Sequence, residues 1–125
     1  MKKYMYLVLV MALAAILFTT FSNRATQDPA LAEEIVALFE QGQTEIDLTE
    51  ITTFDWTKAE LFGPYTTDEV IEESMDITFK GDNGHIDLLD DRVLLVFAND
   101  QYAVKTVVLQ LNCSLRDHKM LLIQE

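Results

Sequence analysis

Residues 92–113 read RVLLVFANDQYAVKTVVLQLNC. Arg92 to Ala98 is an almost unbroken apolar run with a β-branched and aromatic bias, the composition of a strand buried in a sheet. Asn99-Asp100-Gln101 supplies turn residues, without the glycine that marks the tightest hairpins. Tyr102 to Cys113 then returns as a second, longer strand. A hairpin of this kind must bury its apolar faces against other elements, so the flanking sequence has to supply layers.

Working toward the N-terminus, Ile77 to Lys80 is a candidate strand, followed by a Gly81-Asp82-Asn83-Gly84 turn. Before it, Thr66 and Glu69 form a capping-box pair that opens a short helix with Val70, Ile71 and Met75 on its apolar side. Lys58 to Phe62 reads as a strand stopped by Gly63-Pro64. Thr44 to Leu48 alternates, with Ile46 and Leu48 on one face. A longer helix begins at Asp28: an acidic cap, Pro29 in the first turn, and Leu31, Ile35, Leu38 and Phe39 in one stripe. Gly42 is its natural stop. After Cys113, Met120 to Ile123 adds a last candidate strand. The expectation is an α+β domain over residues 28–125: an antiparallel sheet of four to five strands with two helices packed on one face.

Residues 1–22 are of a different kind. Lys2-Lys3 precede YMYLVLVMALAAILFTTF, residues 4–21, with no charge and no polar face. Eighteen apolar residues approach the roughly 20 needed to cross a bilayer. The exit, Thr20-x-Ser22 or Asn23-x-Ala25, matches a small-x-small cleavage site poorly. The expectation is an N-terminal transmembrane helix, a signal-anchor contacting the membrane through residues 4–21, with a linker at 23–27. Basic flanks place the C-terminal domain outside. Secretion after cleavage is the alternative.

All 21 acidic residues lie from Asp28 onward, against six basic ones, a balance of −15 for the domain. Nucleic acid is excluded as a partner, because it requires a basic surface. Cationic partners would be attracted. Cys113 is alone, so there is no intramolecular disulfide, and the domain depends on its core.

The words FDWTKAELFGPYTTDEVIEE and LLVFANDQYAVKTVVL resemble a family of small exported or membrane-anchored bacterial proteins with no assigned activity. Phe54-Asp55-Trp56 and Pro64-Tyr65-Thr66 carry the resemblance, which covers about half of the chain. It departs at Asn99-Asp100-Gln101, where the family has a Gly-containing hairpin, and at Ser74-Met75, where it has Leu-Gly. The resemblance implies an envelope location and this fold class, and no mechanism.

Two sets of residues are candidates for a site. Trp56, Phe62 and Tyr65 lie at the ends of one expected strand, and such aromatics suit a peptide- or glycan-binding edge, the alternative being core packing. Asp82, Asp87, Asp90 and Asp91 form an acidic loop whose oxygens would suit Ca2+, although the spacing is not that of an EF-hand and a plain acidic turn reads the same way. No cofactor is otherwise implied. A zinc site would need His85 and His118 with a carboxylate or Cys113, and nothing in the sequence places them together; Ser114, Asp117 and His118 are too close in sequence to take the roles of a catalytic triad. The reading is a membrane-anchored extracytoplasmic binding or interaction module with a protein or peptide partner. The alternative is a small envelope hydrolase or metal-dependent enzyme using the Asp82–Asp91 loop.

Overall fold

The computed structural model describes residues 2–22 and 24–123, with the backbone alone at 17–22. The apolar hairpin is its spine. Strand β4 (Val93–Ala98) pairs antiparallel with β5 (Ala103–Leu109) and, on its other edge, with β3 (Lys58–Phe62). Strand β1 (Thr26–Gln27) runs parallel to β5, giving the order β1-β5-β4-β3. A second sheet, β2-β7-β6, is built from β2 (Glu45–Asp47), β6 (Cys113–Arg116) and β7 (Lys119–Leu122). Asp117 and His118, both at positive φ, make the tight turn between β6 and β7.

Two clusters of apolar side chains lie on opposite faces of the first sheet. Leu94, Val96 and Ala98 face helix α4 (Asp68–Met75) and the segment carrying Ile77, Phe79 and Ile86. Leu95 and Phe97 face helix α2 (Pro29–Glu40), the short helix α3 (Leu48–Ile51) and the second sheet. Strand β4 is therefore covered on both sides, which is why its sequence does not alternate. At Phe97/Ala98 the pairing shifts, so that Ala98 opposes Ala103 and Phe97 opposes Lys105, leaving Val104 unmatched. Lys105 shares the α2 side with Val107 and Leu109, and its Nζ lies 4.9 Å from the Phe54 ring centroid and 3.3 Å from Asp28 Oδ2.

The structure corrects the expected fold in several places. There are two sheets instead of one, and the layers lie on both faces of the central sheet. The long strand expected over Tyr102 to Cys113 breaks at residues 110–112, where Gln110 and Asn112 interrupt the apolar run and the chain crosses to the second sheet. Residues 77–80 make only an isolated bridge, Thr78 to Tyr102. Helix α4 is capped by Thr67, whose Oγ1 accepts from Val70 N; Thr66 instead donates to Gly63 O at 2.7 Å. Residues 25–27, expected as linker, are paired into the domain through β1 and an Ala25–Gly81 bridge; Asn23 lies outside the described residues.

The N-terminal element is helix α1 (Lys2–Ser22). Its described large apolar side chains, from Tyr4 to Ile16, are exposed. Among the described residues no helix is long and apolar enough to cross a membrane. This corrects the expected transmembrane helix over residues 4–21. The side chains around the weak cleavage motif, residues 20–23, lie outside the described set.

Candidate functional site

An open groove follows from how β1 ends. Asp28 N donates to Thr106 O at 2.9 Å, closing the pairing of β1 with β5 after two residues. The Asp28 carboxylate then accepts from Leu31 N at 3.0 Å and caps α2, with Pro29 in its first turn. That backbone hydrogen bond, ahead of the partial burial that opposes it, holds the Asp28 carboxyl below its ordinary range, with Lys105 contributing. The chain thus leaves the sheet, and among the described residues no strand lies on the outer side of the C-terminal part of β5.

Helix α2 presents two stripes. Leu31, Ile35 and Phe39 are buried against β4 and β5. The adjacent stripe, Pro29, Ala32, Glu33, Val36 and Glu40, lines an open groove of about 870 Å³, with Gln27, Val108, Leu109, Gln110, Leu111 and Leu122 forming the rest of its walls. Ala32, Val36, Val108, Leu111 and Leu122 are half-buried apolar side chains; Glu33 and Glu40 are exposed. Arg92, at one end, donates to Asp91 Oδ1 at 2.8 Å and to Gly84 O at 3.2 Å. Its hydrogen bond holds the Asp91 carboxyl below the usual range, and Gln110 Nε2 donates to the same carboxylate at 3.1 Å.

The aromatic candidates are not brought together. Phe62 is buried in the core beneath α4, because it shares the face of β3 that carries Lys58 and Glu60 toward that helix. Tyr65, at positive φ, is 62 % exposed. Trp56 lies beyond the other end of β3, half-buried, edge-on to Phe97 at 5.0 Å and to His118 at 4.9 Å, with Nε1 donating to Thr52 Oγ1 at 2.9 Å. It lines a separate, shallow depression of about 280 Å³ with Thr49, Phe54, Asp55 and His118.

The acidic loop is held by its own polar groups. Asp82 accepts from Gly84 N, and Asn83 bridges Asp68 and Asp87 through its amide. Asp91 is engaged with Arg92, as above, and Asp90 is exposed. Among the described residues, no group of three or more His, Cys, Asp or Glu side chains could hold a metal ion. His85 sits in this loop and His118 in the β6–β7 turn.

The groove residues had one signal in the sequence: Ala32 and Val36 widen the apolar side of α2 beyond the stripe that a single packing face uses. No protein-family model matches the chain, and neither a curated protein nor a solved structure does.

Proposed function

We propose that this chain is an exported, non-catalytic binding module that holds a segment of a partner protein in the groove between α2 and β5. The groove carries the reading: a concave, mostly apolar surface with a few polar groups at its rim is what a binding site offers. Its main walls, α2 and β5, are regular elements anchored in the core, so that part of the surface is preformed. Export is supported by the basic start followed by an apolar helix, and by the resemblance around Phe54-Asp55-Trp56 and Pro64-Tyr65-Thr66. The deficit of basic residues supports a protein partner over nucleic acid.

A photo-crosslinking side chain at Val36, compared with one at Val70, tests this in intact cells. Val70 is 49 % exposed on α4, across the central sheet from the groove. A discrete adduct from position 36 and none from position 70 is the expected result. Equal capture at both positions, or none at 36, refutes the groove as the binding surface.

A further inference from the structure

We infer that the groove takes its ligand as an added β-strand: an extended peptide stretch, apolar in its middle and flanked by lysine or arginine, pairing with the outer edge of β5. This rests on the binding-module reading and states how that module recognises its partner.

The first argument is the edge itself. β1 pairs only Thr26 with Lys105 and Gln27 with Thr106. Thr106 O faces outward, toward Asp28 N. Backbone polar groups alternate in direction along a strand, so those of Val108 face outward as well, with Gln110 just past the end of β5. Among the described residues no strand lies beyond β5 at that point. Gln110 is exposed and Val108 half-buried, so the edge is accessible from the groove. An incoming strand would continue the line that β1 abandons, and its backbone would pair with the outward-facing groups of β5.

The second argument is the wall opposite. Ala32 and Val36 on α2 offer apolar contact to side chains on one face of such a strand, and Leu111 and Leu122 extend that surface. The third is charge. Glu33 and Glu40 line the same groove, seven residues apart, about 10 Å along the helix axis. An extended chain covers that distance in about three residues. Arg92 is the one basic residue among the lining residues, and it is already committed to Asp91 and Gly84 O. With −15 on the domain, an acidic segment or a second copy of this chain would be repelled, and a cationic one drawn in.

The test uses the full chain and a labelled peptide, acetyl-Lys-Val-Thr-Val-Lys-amide, followed by fluorescence anisotropy. Saturable binding is expected, weakened about fivefold by the double variant Glu33→Gln/Glu40→Gln, since exposed ion pairs are individually modest. Both positions are exposed, so the variant keeps the fold. N-methylation of alternate peptide amides should weaken binding at least tenfold, and acetyl-Glu-Val-Thr-Val-Glu-amide should not bind. Slowed amide exchange at Val108 and Gln110 on binding is the direct signature. Equal binding of the N-methylated peptide overturns strand addition, while an adduct from position 36 would leave the binding module standing. Equal binding of the glutamate peptide overturns the charge selection. Absence of binding by all of the peptides overturns the inference, and absence of a position-36 adduct as well overturns the module.

Discussion

Replacing Asp28 with alanine removes two interactions at the point where the chain leaves the sheet to begin α2. Its Oδ1 accepts from Leu31 N at 3.0 Å, and losing such a cap costs about 1 kcal/mol. Its Oδ2 lies 3.3 Å from Lys105 Nζ, with the two side chains 20 % and 33 % exposed, a setting in which the pair adds up to about 1 kcal/mol. The sum, about 1.5–2 kcal/mol, corresponds to a melting temperature lower by roughly 10 °C for a domain of this size. Asp28→Asn separates the two contributions. Asparagine caps as well as aspartate, so this variant should lose only the pairing with Lys105 and fall by less than half as much. Thermal unfolding followed by circular dichroism at pH 7 reads both. The pH dependence has a definite sign. The Leu31 amide, chiefly, holds the folded carboxyl below its ordinary value of 3.8. The carboxylate therefore contributes stability above that ordinary value, and the contribution is lost as pH falls through the lowered one. The gap between wild type and Asp28→Asn should be constant from neutral pH to about 5 and close below about 4. An alanine variant as stable as wild type, or an asparagine variant as damaged as alanine, would refute this account of the cap.

Two other perturbations probe the core. Gly81 has φ +122, and a Cβ there would enter the Ala25 backbone, 2.7 Å from its nitrogen; Gly81→Ala should cost about 3 kcal/mol or more, whereas Gly63→Ala, whose added carbon meets open space, should leave the urea midpoint nearly unchanged. Burial pushes the Cys113 thiol up to about 11 from an ordinary 9.0, so ionisation alone should slow its alkylation at pH 8 by roughly 100-fold, and thiol labelling should approach completion only in denaturant.

The elements set by local chemistry were legible in the sequence. Asp28, Pro29 and Gly42 delimit α2 through groups no more than a turn away, and Gly42 does adopt positive φ. The apolar run at Val93–Ala98 announced a buried strand, but the expectation put the helices on one face, where the cover lies on both. What stayed hidden depends on distant pairing. β2 meets β7 through Ile46 and Met120, and nothing around Glu45–Asp47 names that partner. The same holds for the site. Trp56, Phe62 and Tyr65 were picked out by residue type, but parity along β3 sends Phe62 inward and its length separates the other two. The groove arises from where β1 stops, a property of pairing that single residues do not encode.

The pairings that close the domain span long stretches of chain. Lys105 and Asp28 are 77 residues apart, and β1 and β2 find their partners only in β5 and β7. Contacts of such span are slow to close. For a chain emerging N-terminus first, whether from the ribosome or through a translocation channel, α2 has nothing to pack on until β4 and β5 have emerged, and β2 has no strand to pair with until β7 has cleared. The hairpin of β4 and β5 is the first part with enough local partners to form, and the segments before it must wait in the open. During that interval the uncovered edge of β5 is longer than in the finished domain, and the high negative charge is what keeps waiting chains apart.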